Sequence, residues 1–164
     1  MLTILPDAEI DALISEPKNT PVGLLPLSKL IERNKHRRRD YPVTSSTGSG
    51  NEFVIAIRQS TMNVLDFSAI LGYRVPGSNL IFRLRRYNGK HVHTNAIERE
   101  TLSDFHIHMA TERYQQRGLR EDCYARVSTR HFNLDSAVRC LLEDCGFSAP
   151  APQQSSLFGP PTSQ

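Results

Sequence analysis

The sequence predicts an α+β domain: an antiparallel sheet of about five strands, covered on one face by a C-terminal helix and preceded by short N-terminal helices. Three observations predict it. Between Phe53 and Val127, apolar residues recur with period two in short runs separated by turn signals. Leu134, Ala137, Val138, Leu141, Leu142 and Cys145 then recur at helical spacing, with Asn133 as an N-cap before them and Gly146 as a stop behind them. Finally, 164 residues of which 38% are hydrophobic suffice for one core and are too few for two.

Taken in order, Pro6 and Asp7 start a short helix whose apolar face is Ile10, Leu13 and Ile14, and Pro17 stops it. Pro26 opens a second helix, with Leu27, Leu30 and Ile31 on one side, that runs into Arg33, Lys35, Arg37, Arg38 and Arg39. Residues 1–43 thus read as an N-terminal helical segment with a basic end. Residues 44–50 are all serine, threonine and glycine; they bury no apolar surface and read as a flexible linker. The core domain spans 51–147. Its strands are centred on Phe53/Ile55/Ile57, on Phe67/Ala69/Leu71, on Phe82/Leu84, on Phe105/Ile107 and on Cys123/Ala125/Val127, with Asn88-Gly89 as a turn. Residues 148–164, rich in proline, glutamine and serine, exclude a packed core and read as a disordered tail.

Charge and cysteine usage narrow the classes. A net charge of +3 fits contact with nucleic acid without demanding it. Cys123, Cys140 and Cys145 form no Cys-x-x-Cys pair, which argues against a disulfide framework and a zinc ribbon. No secretory leader pattern and no apolar run near the roughly 20 residues of a membrane helix are present, so the expectation is a cytoplasmic protein without a membrane partner.

The distinctive residues are two His-x-His elements, His91/His93 and His106/His108, beside arginines. If Phe82/Leu84 and Phe105/Ile107 point to the covering helix, the opposite face collects Arg83, Arg85, Tyr87, His106, His108, Tyr124 and Arg126, with Asp66 and Ser68 beside them. Such a face suits RNA. His106, His108 and His93 would exchange protons with a ribose 2′-hydroxyl and a leaving oxygen, while Arg85 stabilises the charge that develops on phosphorus. Arg83, Arg86, Lys90, Tyr87, Tyr124 and Arg126 would bind the strand, as would Arg37, Arg38 and Arg39 through salt-dependent phosphate contacts. The bland alternative is a solvated face of polar filler. No closed ligand set is apparent, so neither a metal nor another cofactor is expected; a metal, if bound, would sit at His91, His93 and Glu98.

Three resemblances follow from short motifs. Arg86-Tyr87-Asn88-Gly89-Lys90-His91-Val92-His93-Thr94-Asn95, then Phe105-His106-Ile107-His108 and Asp144-Cys145-Gly146-Phe147, resemble a bacterial family of unknown function with a Gly-x-x-His turn before a His-x-His strand. More distantly, the Arg-Tyr-Asn step is similar to the TumE-type toxins of toxin–antitoxin pairs. That resemblance implies a defence-linked ribonuclease neutralised by a helix-turn-helix antitoxin. In the tail, Gln154, Leu157 and Phe158 resemble the peptides that dock into the bacterial sliding clamp. Three function classes therefore stand: a toxin-like metal-independent ribonuclease, a non-catalytic nucleic-acid or clamp-binding module, and a metal-binding protein.

Overall fold

The structure is a computed structural model describing residues 3–25, 27 and 30–148. Pro26 and the tail residues Gln154, Leu157 and Phe158 lie outside the described residues. Helix α1 (Asp7–Ser15) precedes strands β1 (Ile31–Arg33), β2 (His36–Thr44), β3 (Glu52–Ser60), β4 (Phe67–Arg74) and β5 (Ile81–Asn88). Then come β6 (His93–Asn95), β7 (Glu100–Leu102), β8 (His106–Met109), α2 (Glu112–Gln116), β9 (Tyr124–Val127) and α3 (Leu134–Asp144). The α+β class holds, but the main sheet has 7 strands where about five were expected, in the order β1-β2-β3-β4-β5-β8-β9. Every pairing in it is antiparallel. Strands β6 and β7 form a separate hairpin inserted between β5 and β8. No described helix is long and apolar enough to cross a membrane.

The basic segment departs most from expectation: the helix expected to end at Arg33, Lys35, Arg37, Arg38 and Arg39 is the β1–β2 hairpin. Asn34 and Lys35 form its two-residue turn with φ of 49° and 64°, the left-handed pair that a tight hairpin needs and that asparagine tolerates. Beyond the turn, Tyr41 and Val43 are buried while Asp40 and Pro42 are exposed, a period of two. Strand β1 reaches no further than the level of Arg38, so proline at position 42, lacking an N–H, deprives no outer neighbour of a bond. Strand β2 pairs with β3 from His36 opposite Ser60 to Thr44 opposite Glu52. Residues 44–50 therefore close a hairpin within one sheet. Their loop is tied to the end of α1, where Glu16 accepts hydrogen bonds from Ser49 Oγ, from Asn51 Nδ2 at 2.8 Å and from Thr47 Oγ1 at 3.3 Å.

One sheet face carries the core. Tyr41, Val43, Phe53, Ile55, Ile57, Ala69 and Leu71 lie buried there with α3 packed on β4 and β5. Helix α3 forms as expected: Asn133 accepts from Ser136 N at 2.8 Å, and Ser136 Oγ accepts in return from Asn133 N at 3.1 Å. Gly146 ends it at φ 76°, where a Cβ would meet Glu16 O at 2.6 Å. Between the ends of α1 and α3 lies Lys18, only 1% exposed. Its ammonium donates to Leu13 O at 2.7 Å, Glu16 O at 2.8 Å, and Ile14 O and Cys145 O at 2.9 Å. It satisfies carbonyls that both helices leave open.

A β-bulge decides which side chains face away from α3. Leu71 pairs with Arg85 and Gly72 with Arg83, which leaves Leu84 as the extra residue. Directly opposed residues share a face. The register sets Arg86 against His108 and Asn88 against His106, but Arg85 against Met109 and Tyr87 against Ile107. Tyr124 and Arg126 oppose Met109 and Ile107. The expected grouping is thereby corrected: His106 and His108 share a face with Arg83 and Arg86, while Arg85, Tyr87, Tyr124 and Arg126 lie on the other. Tyr87 confirms its side by donating to Asp144 Oδ2 of α3 at 2.7 Å.

Candidate functional site

His106 and His108, expected on a solvated face, are 0% and 1% exposed. Their cover is the connection from Gly89 to Leu102, whose β6–β7 hairpin folds back over the end of the sheet. Asn95, itself fully buried, pins that hairpin to β9 by accepting from Ala125 N and donating to Ala125 O, each at 2.8 Å. A side-chain amide here imitates one rung of a strand ladder. Gly89 makes the fold-back feasible, because a Cβ there would lie 1.7 Å from Leu65 O.

The hairpin brings both His-x-His elements together. Ring centroids lie 4.6 Å apart for His91 and His106, 4.5 Å for His93 and His108, 4.9 Å for His106 and His108, and 5.9 Å for His93 and His106. His106 Nδ1 lies 2.7 Å from Asp104 O and His108 Nδ1 lies 2.8 Å from Asp122 O. A carbonyl only accepts, so both Nδ1 atoms carry the proton and both Nε2 atoms carry a bare lone pair. Those Nε2 atoms are buried without a hydrogen-bond partner. One ring nitrogen each of His91, His106 and His108 fall within 4.8 Å of one another, and His91 is the exposed member. His93 is held differently, with Nε2 at 2.9 Å from Cys123 O and 3.2 Å from Asn95 Oδ1.

Burial favours the neutral form of His91, His106 and His108. Burial pushes His108 down to about 2, helped by the guanidinium of Arg86, and pushes His106 down to about 4. His91 is lowered too, first by burial and then by Arg86. A ring held neutral at pH 7 is a poor proton donor, so these shifts disfavour the acid role expected of one of the two histidines and leave the base role open. Bare, neutral, converging imidazoles are instead what a metal ion requires.

The other candidates separate into those near this centre and those away from it. Arg86 lies beside it, its Nε 3.1 Å from Asp122 Oδ2, while Arg120 Nε holds Asp122 Oδ1 at 2.6 Å. Of the basic trio only Arg38 points to this face; Arg37 bonds Gln59 at 3.0 Å and Arg39 lies over the Tyr41 ring at 4.8 Å. Lys90 is paired with Asp104 at 3.7 Å, above the Phe105 ring. Glu98, the carboxylate expected with His91 and His93 in any metal set, instead accepts from Tyr114 OH at 2.6 Å and pairs with Arg113. Sequence reasoning missed Asn95 and Asp122. Asp122 is fully buried and its carbonyl fixes the tautomer of His108. The one available signal was Asn95, two residues after the first His-x-His, a short amide where a strand would favour a β-branched residue. Compared with family models, curated proteins and solved structures, the chain matches none, so the reading of this centre rests on its own geometry.

Proposed function

We propose that this chain is a metal-binding protein whose centre is formed by His91, His106 and His108. The observation that carries the reading is the convergence of three imidazoles, each offering a ring nitrogen within 4.8 Å of the others, two of which are buried with an unpartnered Nε2. An unsatisfied buried acceptor costs about 1–3 kcal/mol, and two of them at one point are explained by a cation between them. Imidazole ligands fixed through Nδ1–H to a backbone carbonyl are the usual arrangement around a metal. Three neutral nitrogens suit zinc and its neighbours in the first transition row, not magnesium or calcium. The exposed position of His91 leaves the solvent side open, which is the form of a reactive centre and not of a closed structural one.

The test is titration of the full-length, metal-free chain with cobalt(II), then displacement by zinc. The expected result is one cobalt per chain with the visible absorption of a low-coordinate nitrogen site. His91→Ala, at an exposed position, should keep the fold and weaken binding by at least about tenfold. Failure of the folded wild type to take up stoichiometric metal, or a His91→Ala variant with an unchanged cobalt spectrum, would overturn the reading.

A further inference from the structure

The same face continues from the histidine centre into a trough of about 440 Å³. Register fixes its walls. Arg58 on β3 opposes Ser68 on β4, which opposes Asn88 on β5, which opposes His106 on β8. One row over, Ala56, Ile70, Arg86 and His108 are aligned across the same strands. Arg58 therefore forms one wall and Arg83 with Arg86 the other, above a floor of Val54, Ala56 and Ile70. A smaller depression of about 200 Å³, lined by Arg58, Asp66, Ser68, Arg86, Asn88 and His91, shares Arg58, Ser68 and Arg86 with the trough and His91 with the centre.

The charge of the trough is not cancelled. Arg38 is paired with Asp40 and Arg74 with Glu52, but the one carboxylate of Asp122 is shared by Arg86 and Arg120. Among the described residues, the guanidiniums of Arg58 and Arg83 have no carboxylate within ion-pair distance, although Glu121 Oε1 accepts from Arg83 N at 3.0 Å. Guanidiniums on both sides of a narrow cleft favour a compact multivalent anion, and their planar forks match phosphate oxygens. An apolar floor between them favours a ligand with a flat apolar part, and the volume is that of a small-molecule site.

We infer that this trough binds a nucleotide, with its phosphate between Arg58, Arg83 and Arg86 and its base over Val54, Ala56 and Ile70. Its placement names the substrate class of the histidine centre and in that respect rests on the metal reading, whereas the binding itself does not. Asp122 is a positioning residue, because its carboxylate orients Arg86 and Arg120 while its carbonyl orients His108.

Calorimetric titration of the full chain at low salt tests this with three probes: adenosine 5′-monophosphate, adenosine, and a short single-stranded oligouridylate, each with metal-free and zinc-loaded protein. The monophosphate should bind at least about tenfold tighter than adenosine, since a charge-assisted contact is lost with the phosphate. Arg58→Ala, at an exposed position, and Arg83→Ala, at a half-buried one, should each weaken it by about tenfold, the former without changing the melting temperature. Tighter binding of the oligouridylate, with a salt slope of roughly 0.7 per phosphate contacted, identifies a single strand as the source; tighter binding of the monophosphate identifies a free nucleotide. Absence of binding by both phosphate probes, or binding indifferent to both arginine substitutions, overturns the inference. Binding by a chain that takes up no metal supports the trough and removes the metal reading; metal uptake without binding of either phosphate probe does the reverse.

Discussion

Lys18 and the His106/His108 pair are both basic groups sealed inside the protein, on opposite faces of the sheet, and they are built in contrary ways. Around Lys18, the chain supplies four backbone carbonyls and the face of Phe53, so a buried cation is satisfied from within. Around His106 and His108, the chain satisfies the outward nitrogen of each ring and leaves the inward one bare. The first arrangement is complete and does nothing but hold. The second is incomplete, and that incompleteness is what the proposed metal reading rests on.

The largest effect is expected where the closed site is broken. Lys18→Met keeps the length of the side chain but orphans carbonyls at the ends of α1 and α3, and should cost about 3 kcal/mol in a denaturant titration. A midpoint within error of the wild type would show that the ammonium is incidental to the join. The next effect falls on the opposite face. Asn95→Ala removes both bonds to Ala125 and should cost about 2 kcal/mol, releasing the β6–β7 hairpin. Hydrogen exchange should then quicken at the Ala125 amide and stay slow in α3; unaltered protection at Ala125 would mean that something else pins the hairpin.

The smallest effect concerns a third buried imidazole. His131 lies 2.8 Å from Asn88 O among Phe67, Tyr87 and Phe105, and burial, reinforced by Arg130, holds it below the ordinary histidine value. Because the folded value is the lower one, the unfolded chain takes the proton first as pH falls through about 6.5, and stability is lost from there downward. His131→Gln should therefore lessen the fall in melting temperature between about pH 6.5 and 5, the remainder coming from His91, His106 and His108. An unchanged pH slope in that variant would assign the whole effect elsewhere.

Legibility in the sequence followed the range of the interactions. Helix α3 and strands β3, β4 and β8 are readable because periodicity, an N-cap and turn residues are local. The β1–β2 hairpin is not, since its apolar alternation at Tyr41 and Val43 comes after a run of arginines that suits a helix end equally well. Asn34 with Lys35 is a weaker turn signal than the Asn-Gly pair at Asn88 and Gly89, which turned out to end a strand instead. The histidine strand was legible and its partners were not. A single extra residue, Leu84, reverses the faces of Arg85 and Arg86, and nothing near it in sequence announces a bulge. Burial of His106 and His108 depends on a connection folding back, which is a tertiary fact.

The site around Lys18 also bears on how the chain is made. Three of its acceptors lie within five residues of the lysine, but the fourth is Cys145 O, 127 positions later. During synthesis α1 is complete long before α3 exists, so the ammonium waits in water with its remote acceptor still untranslated. Only when α3 arrives do Lys18 N bond to Gly146 O and Ser148 N to Lys18 O, which laces the beginning of the described chain to its end. The contacts that complete the Lys18 site therefore form last, and an intermediate lacking α3 lacks one of the four carbonyls that hold that charge.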